Sequence, residues 1–244
     1  MSPEVAVRWS EIGVCGRPVD DGLLDAGERR RATSIRHPGA RIRFVAAHAT
    51  LRRLLADVLG EDPTAFRITA DPLGRPRVDA STGWSISLAH THDAVVVAAG
   101  RDAEVGVDVE RLDRDRLPPI ERWCTTAEVS ACRAAGAEAR PLTVRLWTGK
   151  EALAKAAGAG MRMPFHEWGV LEPAVPDPRP RSGRDEPATG TVRWLDLSPP
   201  HAIALATLPP TRGPGVDRGV SAPERRSSKV TGSAVSPRAR RSPS

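Results

Sequence analysis

The order of its predicted elements constrains the fold of this chain more than any other feature. Residues 40–60 place apolar side chains at helical spacing, and short runs of strand-forming residues follow them. After residue 140 the same order returns, a helix and then strands. Shifting the second half by 102 residues lays RLWTGKEALAK over RFVAAHATLRR. The pattern predicts an α+β fold built from two similar halves, residues 1–104 and 105–208.

Turn residues and stop signals set the bounds of the individual elements. The predicted helices lie within 20–37, 40–60, 117–136 and 141–160, with stops at Gly60 and after Ala157. The predicted strands are 65–69, 75–78, 84–90, 93–100, 104–110, 165–172, 191–197 and 201–208. The Pro- and Arg-rich segment 173–190 predicts a long exposed loop between two of these strands.

Residues 209–244 carry all of the chain's net positive charge. The sequence has 36 basic and 30 acidic residues, a formal net charge of +6. Seven Arg and one Lys oppose two acids after residue 208, so the first 208 residues are balanced. The segment is rich in Pro, Ser and Arg and has no aromatic residue, which predicts a disordered tail. It is either a weak polyanion-binding arm or a solvated extension, and the body gives no indication of a nucleic-acid partner.

No segment predicts a membrane or a secreted protein. The chain lacks an apolar run of the ~18–20 residues that span a bilayer, and its first residues have no signal-peptide pattern. The three cysteines, Cys15, Cys124 and Cys132, form no CxxC pair and no zinc spacing. An odd number of free thiols is typical of a reducing compartment, so we expect a cytoplasmic protein.

The segment EVGVDVE, residues 104–110, alternates strictly and carries two neighbouring acids. Because successive strand residues point to opposite faces, Asp108 and Glu110 share one face while Val107 and Val109 can be buried on the other. Two adjacent carboxylates repel unless water or a cation lies between them, and Mg²⁺ prefers oxygen ligands. The pair is therefore either a magnesium site or a solvated strand edge.

Lysine is restricted to one predicted helix before residue 209. The chain has only three lysines, Lys150, Lys155 and Lys229. Lys155 lies four residues after Glu151, a spacing that also suits a surface ion pair worth ~0.2–0.5 kcal/mol. Arginine would serve such a pair equally well, whereas a compact ammonium differs from a guanidinium in reach and hydration. The use of lysine therefore favours a site that needs a point charge near developing negative charge.

Further cations lie upstream of these two motifs. The sequence DPLG predicts a turn that presents Arg75, and His90 ends the predicted strand WSISLAH. His90 and His92 alone are a weak indication of a metal site, and a phosphate-facing or core histidine is the alternative. A group of arginines on the first two helices forms either a phosphate-binding set or a solvated face: Arg29, Arg30, Arg31 and Arg43.

Together these segments resemble the phosphopantetheinyl transferases of the Sfp type, the larger class that activates polyketide and nonribosomal peptide synthetases. VGVDVE is similar to that family's G-[IV]-D-[IV]-E motif, and LWTGKEALAKAAG is similar to its W-[ST]-x-K-E-[AS]-x-x-K motif. LGRPRV resembles its G-[KR]-P turn, and SISLAHTHD resembles its F-N-x-S-H-S segment, with His90 matching and Ser87, Ala89 and Thr91 departing from it. The resemblance covers residues 20–208 in order.

The resemblance implies the 4′-phosphopantetheinyl transferase fold, a pseudo-dimer of two α+β halves with coenzyme A bound between them. It implies that Asp108, Glu110 and Glu151 hold Mg²⁺. It also implies that Asp108, Glu151 and Lys155 are catalytic, with Glu151 or a water held by the acids as the base. The implied coenzyme A contacts are Arg31, Arg43, Gly74, Arg75, Pro76, His90, Thr91 and Lys155. Glu128 matches a family acid near the metal.

The implied reaction is transfer of 4′-phosphopantetheine from coenzyme A to a serine of an acyl or peptidyl carrier protein, by a monomer, with release of 3′,5′-ADP. Phosphoryl transfer depends on positioning and charge neutralisation, and acids, lysine and arginines supply both. Two alternatives remain open at this point. One is another Mg²⁺-dependent phosphoryl-transfer or phosphodiester-cleaving enzyme, and the other is a non-catalytic nucleic-acid-binding protein that acts through its basic tail.

Overall fold

The computed structural model of this chain describes residues 4–12, 21–79, 82–179, 188–197 and 200–211. They form helices and antiparallel sheets, which confirms the mixed α+β class. The chain as far as Thr211 is one compact unit, and the division into halves at residue 104 stays a prediction. From residue 212 onward the predicted tail lies outside the described residues, as does Cys15.

The helices and strands alternate in blocks along the chain. The helices are α1 (Ala26–Ser34), α2 (Pro38–Leu59), α3 (Thr126–Ala134) and α4 (Ala139–Ala157). The strands are β1 (Glu4–Glu11), β2 (Ile68–Ala70), β3 (Pro76–Val78), β4 (Trp84–His90), β5 (Ala94–Arg101), β6 (Glu104–Arg111), β7 (Ala174–Pro176), β8 (Thr189–Trp194) and β9 (His201–Leu208). Both long helices end at a left-handed glycine, Gly60 at φ 71° and Gly158 at φ 68°, as the sequence predicts.

The first half of the described chain is an antiparallel sheet with a long helix on one face. Strands β1, β5 and β4 pair in that order, and α2 packs across them. Ala47, Leu51 and Leu55 of α2 are fully buried and share an apolar core with Val95 and Val97 of β5. Burial of these apolar faces against each other stabilises the layer pair.

The second half has a second antiparallel sheet with its own long helix. Strands β6, β9, β8 and β7 pair in that order, and α4 crosses β6 and β9. Leu146, Ala152 and Leu153 of α4 pack in one core with Ala204 and Ala206 of β9. The two acid-bearing elements of the sequence, β6 and α4, are therefore in direct contact.

A third apolar core joins the two sheets. Val105, Val107 and Val109 of β6 are buried in one cluster with Val96 and Ala98 of β5. These valines lie on the face of β6 opposite to its acids, as the strict alternation predicts. The seam between the sheets is thus apolar, and the opposite face of β6 remains for α4.

Hydroxyl groups of β4 add a polar link across this seam. Ser85 accepts a hydrogen bond from the backbone N–H of Val105 at 3.1 Å, and Ser87 accepts one from Val107 at 3.0 Å. Because β6 pairs with β9 along its other edge, these hydroxyls satisfy backbone donors that would otherwise have no strand partner. Ser87, which departs from the family motif, therefore contacts the strand that carries the acids.

Residues 165–172 do not form the predicted strand. They contain a 3₁₀ turn followed by irregular backbone. The ammonium of Lys150 donates hydrogen bonds to the carbonyls of Phe165 and Trp168. These backbone carbonyls are therefore paired with a buried side chain rather than with a neighbouring strand. The strand prediction for residues 165–172 is therefore wrong, because a side chain outside the segment decides its conformation.

Two strands lie where none was predicted. Strand β1 pairs with β5 along its whole length, with Glu4 opposite Arg101. Strand β7 lies inside the predicted exposed loop 173–190 and leaves Val175 only 2% exposed. Both are edge strands, and pairing with the neighbouring strand determines their conformation more than their own sequences do.

Membrane and thiol predictions can be compared with the described residues. Among them, no helix has both the length and the apolarity needed to cross a bilayer. Cys124 and Cys132 are free and buried. Burial raises the pKa of the Cys124 thiol to about 12, helped by the nearby Glu128 charge, so this thiol is unreactive near neutral pH.

Helix α4 lies very close to β6 at Gly106. A Cβ atom at this position would be 2.0 Å from the carbonyl oxygen of Ala152 and 2.4 Å from the backbone nitrogen of Ala156. Both atoms belong to the helix backbone and cannot rotate away as the end of a side chain can. The glycine of EVGVDVE is therefore required by the contact itself, and it brings α4 over Asp108, the next residue on the same face.

We expect Gly106→Ala to destabilise the fold by about 3 kcal/mol or more, at or above the upper end for overpacked cores. Gly169→Ala is the matched control, because a Cβ there meets nothing closer than 3.7 Å. The control should stay within about 1 kcal/mol of the parent. Urea unfolding followed by circular dichroism measures both variants. Equal stabilities would show that α4 can move away from β6 at little cost.

Candidate active site

The acids of β6 meet the charged residues of α4 beyond this close contact. The side chain of Asp108 is 9% exposed, and the Nζ atom of Lys155 lies 2.7 Å from its Oδ1. The same ammonium donates to the carbonyl of Val107 at 3.1 Å. Among the described residues, the ion pair of Lys155 is therefore with Asp108, 47 positions away, rather than with Glu151 on its own helix.

Glu110 and Glu151 lie within the field of Asp108. Burial, followed by the Asp108 charge, raises the pKa of Glu110 to about 7, although Arg114 acts in the opposite direction. Burial and then Asp108 also raise the pKa of Glu151, with Lys155 opposing. The three predicted acids are therefore close enough to repel one another, and a positive charge among them would relieve that repulsion.

The oxygen donors of this group fit a hard divalent cation. The Oδ2 atom of Asp108 is buried and has no hydrogen-bond partner among the described residues. An unpartnered carboxylate oxygen is costly to bury, and oxygen atoms are the ligands that Mg²⁺ prefers. In the described part of the chain no three such residues already surround one point. Glu110 is paired with Arg114 instead, so binding an ion requires that carboxylate to exchange Arg114 for the cation.

Glu128 belongs to a separate buried ion pair. The Nζ atom of Lys150 lies 2.8 Å from Oε2 of Glu128, and both side chains are 0% exposed. The carboxylate also accepts the N–H groups of Thr125 and Val170, each at 2.8 Å. With the two carbonyls of the 165–168 turn, the ammonium has three acceptors around one point, which a planar guanidinium could not match. Glu128 of α3 and Lys150 of α4 therefore connect these two helices to the backbone of residues 165–170.

The predicted turn before β3 is fixed by local chemistry. Gly74 has φ 83°, which suits glycine. The carboxylate of Asp71 accepts the backbone N–H groups of Leu73 and Arg75 at 2.9 and 3.0 Å. Pro76 then begins β3. These are the turn residues that the sequence predicts, and they present Arg75 in a defined direction.

Arg75 extends from this turn to the seam between the sheets. Its Nη2 lies 2.6 Å from Oε2 of Glu104 and 3.2 Å from Oγ of Ser85. Its Nη1 lies against Gly158, 3.3 Å from where a Cβ would be. This predicted coenzyme A contact thus has an internal partner in Glu104 and reaches the end of α4, three residues after Lys155.

His90 and Arg43 lie within electrostatic reach of the acids. Partial desolvation of the ring, followed by the charge of Arg43, lowers the pKa of His90. Lys155 acts in the same direction and Asp108 opposes it. Because these effects decay over a few ångströms, the structure brings two predicted nucleotide contacts of the first half near the predicted metal ligands of the second.

Thr91 is engaged in the turn between β4 and β5. Its hydroxyl donates to Oδ1 of Asp93 at 2.6 Å and accepts the N–H of Ala94 at 3.1 Å. The backbone N–H of Thr91 donates to the carbonyl of Ala94 at 2.8 Å. A contact from Thr91 to a ligand would therefore compete with the bonds that close this turn.

Arg31 lies on the exposed side of α1, with its guanidinium carbon 6.0 Å from the centroid of the Phe44 ring.

A fully buried arginine fixes α1 against α2. The Nε of Arg52 lies 2.7 Å from Oε2 of Glu28, and its Nη2 lies 2.9 Å from Oδ2 of Asp25. Sequence analysis missed Arg52, because nothing in an arginine-rich sequence distinguishes a buried guanidinium from an exposed one.

An apolar groove of about 280 Å³ lies on the second half of the described chain. Trp123, Trp147 and Phe165 line it, and the Trp147 ring meets each of the other two edge to face. Arg114 lies over Trp147, 5.6 Å from the ring centroid, and pairs with Glu110 at the same time. Sequence analysis missed Arg114 and this groove, since aromatic residues at such positions are more typical of a core.

We expect the metal-free protein to lose stability relative to Glu110→Gln as the pH rises from about 4.5 to about 7. The folded-state pKa of Glu110 is about 7, above its ordinary value of 4.5. The folded state thus binds this proton more tightly than the unfolded chain, and its stability falls as the proton is lost. Urea unfolding of both proteins at about pH 5 and about pH 7.5 measures the difference.

Saturating Mg²⁺ should remove this fall, because the ion binds the ionised carboxylate. Parallel pH curves for the two proteins without metal would contradict the raised pKa. A fall that persists at saturating Mg²⁺ would remove Glu110 from the set of ligands.

The segment that carries these acids is similar to known proteins. A family model described as the 4′-phosphopantetheinyl transferase superfamily matches residues 104–206, the segment from β6 to β9 that includes all of α4. A putative 4′-phosphopantetheinyl transferase of Synechocystis sp. is 28% identical over 205 residues, 80% of each chain. The 4′-phosphopantetheinyl transferase HetI of Nostoc sp. is 28% identical over 65% of this chain and 73% of its own. A 4′-phosphopantetheinyl transferase of Bacillus subtilis is 22% identical over 60% of this chain and 66% of its own. Residues 104–206 of this chain, which carry the candidate site, are therefore similar to the 4′-phosphopantetheinyl transferase superfamily.

Proposed function

We propose that this protein transfers the 4′-phosphopantetheine group of coenzyme A to a serine of an acyl or peptidyl carrier protein, with Mg²⁺, and releases 3′,5′-ADP. One observation carries the proposal. The segment that matches the superfamily brings together three mutually repelling acids and a partly exposed lysine: Asp108, Glu110, Glu151 and Lys155. Such a group can bind and neutralise a pyrophosphate, which is the main requirement of phosphoryl transfer.

The three acids are the proposed holders of the metal. Asp108 would contribute its unpartnered Oδ2, and Glu110 and Glu151 would contribute carboxylate oxygens. Bound Mg²⁺ supplies charge neutralisation and orientation at the pyrophosphate. The protein's own part is to keep these carboxylates together on β6 and α4 against their repulsion, which the buried packing of α4 on β6 accomplishes.

The chemical step displaces one phosphate oxygen by another. The carrier serine hydroxyl attacks the β-phosphorus of coenzyme A, and the bond from that phosphorus to the bridging oxygen breaks to leave 3′,5′-ADP. The proposed acceptor of the serine proton is Glu151 or a water held by the acids, because a carboxylate or a bound water within hydrogen-bond reach of the hydroxyl can accept its proton. Lys155, with 31% of its side chain exposed, can neutralise charge on the phosphates from beside Asp108.

The nucleotide end of coenzyme A is proposed to lie against the first half of the chain. Arg43 and His90 support this placement, since the charges of Arg43 and Lys155 both act on the His90 ring. Arg75 supports it through its position at the end of α4, although Glu104 already holds one side of its guanidinium. The proposed contacts on this side are Arg31, Arg43, Gly74, Arg75, Pro76, His90 and Thr91.

The pantetheine arm needs a different surface, because it is long and uncharged. The groove lined by Trp123, Trp147 and Phe165 suits it in character, and Arg114 connects that groove to Glu110. Aromatic walls with few polar groups are typical of sites for such ligands. We therefore propose that the pantetheine arm extends from the acids into this groove and passes Arg114 on the way.

The proposal includes a cytoplasmic monomer whose halves, residues 1–104 and 105–208, form a pseudo-dimer. Each half contributes one sheet and one long helix, which supports an internal pairing of similar units. Cys124 and Cys132 are free thiols, as is usual in a reducing compartment. Carrier proteins are proposed as partners because the reaction requires a serine acceptor.

Two other functions are the alternatives to phosphopantetheine transfer. A phosphodiester-cleaving or other phosphoryl-transfer enzyme could use the acids and Mg²⁺ with water as the nucleophile. A nucleic-acid-binding protein would act through residues 209–244. The match over residues 104–206 and the similarity to proteins named as 4′-phosphopantetheinyl transferases favour phosphopantetheine transfer over both.

Incubation with coenzyme A, Mg²⁺ and several apo carrier proteins, followed by weighing of each carrier, separates the three functions. Only transfer adds the mass of phosphopantetheine to a carrier; a phosphodiesterase cleaves coenzyme A and leaves the carriers unchanged. We expect the mass gain with the parent protein and none with Asp108→Ala, since loss of a metal ligand removes rate rather than fold. Circular dichroism checks the fold. Full transfer by folded Asp108→Ala would overturn the metal assignment.

We expect Lys155→Arg to fold normally, to bind coenzyme A within a few-fold of the parent and to lose most of its turnover. A guanidinium next to Asp108 would displace positive charge, and ~1 Å of misplacement can cost about 100-fold in rate. Arg145→Lys, on the exposed side of the same helix, is the control and should keep the parent rate. Carrier mass gain over time measures both. Parent-like turnover of Lys155→Arg would reduce Lys155 to a structural partner of Asp108.

A further inference from the structure

Asp93, in the turn between β4 and β5, binds elements of the first half. The hydroxyl of Thr91 donates to its Oδ1 at 2.6 Å. The backbone N–H of Ile12, just after β1, donates to the carbonyl of Asp93 at 2.7 Å. The turn is therefore tied both to the end of β4 and to the end of β1.

The same carboxylate binds two residues of the second half. The Nη1 of Arg111 donates to its Oδ2 at 2.7 Å, and the Nε2 of His201 lies 3.1 Å from its Oδ1. Arg111 ends β6, and His201 begins β9 directly opposite it in the sheet. The side chain of His201 is 5% exposed and that of Asp93 is 19% exposed, so water screens these bonds only weakly.

The charge state of Asp93 agrees with this geometry. Although desolvation disfavours its ionised form, hydrogen bonds from Thr91, His201 and Arg111 hold the pKa of Asp93 well below its ordinary value. The carboxylate is thus ionised throughout the physiological range, and its bonds to both halves are charge-assisted. We call Asp93, Thr91, Arg111 and His201 the Asp93 cluster.

The Asp93 cluster lies next to candidate site residues on both sides of the seam. Thr91 directly follows His90, and Arg111 directly follows Glu110. The nearby core of the seam is apolar, and apolar packing has little directional preference along the strands. Charge-assisted hydrogen bonds have fixed geometry, so the Asp93 cluster fixes the ends of β4 and β6 relative to each other beyond the Ser85 and Ser87 hydroxyl bonds that join the middle of these strands.

We infer that Asp93 is a positioning residue that keeps the nucleotide side of the site, at His90, in register with the metal side, at Asp108 and Glu110. This inference rests on the proposed function, because coenzyme A is the ligand that spans both sides. A ligand that contacts two sides binds best when their separation is fixed in advance. A ligand that contacts one side does not depend on that separation.

The test compares Asp93→Ala with Asp113→Ala. Arg111 also binds Asp113 at 2.7 Å, and both residues belong to the second half. The control therefore removes an ion pair of equal length from the same guanidinium without cutting a bond across the seam. Asp93→Asn is a third variant, because it keeps the shape of the side chain and one oxygen acceptor for Arg111.

Calorimetry with Mg²⁺ measures the binding of coenzyme A, which spans both sides, and of 3′,5′-ADP, which occupies the nucleotide side. We expect the preference for coenzyme A over 3′,5′-ADP to fall about ten-fold in Asp93→Ala and less than about two-fold in Asp113→Ala. Asp93→Asn should recover part of the loss. A purely structural role would lower the melting temperature without changing this ratio. If Asp93→Ala does not fold, Asp93→Asn carries the same comparison.

Hydrogen exchange of the ligand-free proteins tests the cluster without any ligand. The backbone N–H of Leu112, directly after Arg111, donates to the carbonyl of Pro200 at 2.9 Å, and that of Thr91 donates to Ala94. We expect both amides to exchange faster in Asp93→Ala than in the parent, while α2 and α4 keep their protection. Unchanged exchange at both amides would overturn the role of Asp93 in the seam.

The two readouts also separate failure of this inference from failure of the proposed function. Faster exchange with an unchanged ligand preference would overturn the positioning role and leave the proposed function intact. A parent protein that binds neither coenzyme A nor 3′,5′-ADP would overturn the proposed function and, with it, the positioning role.

Discussion

The close contact of α4 with β6 at Gly106 is the constraint on which the candidate site depends. With no side chain between them, the helix backbone lies within van der Waals reach of the strand, and Asp108 comes directly under the last turn of α4. Lys155 can then reach Asp108 at 2.7 Å from a different element. A bulkier residue at position 106 would separate the two motifs, and their acids would then be too far apart to act on one ligand.

Once α4 is in place, electrostatics determines the state of the site. Burial of the carboxylates, followed by the repulsion from Asp108, raises the pKa of Glu110 to about 7 and also raises that of Glu151. Lys155 and Arg114 offset part of this repulsion within the protein, yet Oδ2 of Asp108 remains without a partner among the described residues. A site built in this way gains most from a ligand that brings positive charge, as a divalent cation does.

The two lysines of α4 show how one residue type serves two purposes. Lys150 is fully buried, and its ammonium meets one carboxylate and two carbonyls, so it organises the backbone after α4. Lys155 is partly exposed and lies beside Asp108, so it can meet a ligand. Both positions need a compact charge with several donors, and in each case a planar guanidinium would be misplaced. The lysine restriction in the sequence therefore reflects two sites rather than one.

The sequence by itself determined the periodic features of this protein. Strict alternation separated the acids of β6 from its valines, glycines marked the ends of α2 and α4, and Asp71 and Gly74 specified the turn before β3, because each of these depends on neighbouring residues alone. Motif resemblance indicated the superfamily. Tertiary structure decided which charges meet: Lys155 with Asp108, Glu128 with Lys150, and Asp93 with residues of both halves. It also decided that residues 165–172 are irregular and that β1 is a strand. The physical reason is that periodicity fixes the direction of a side chain, whereas its partner depends on packing between segments far apart in the chain.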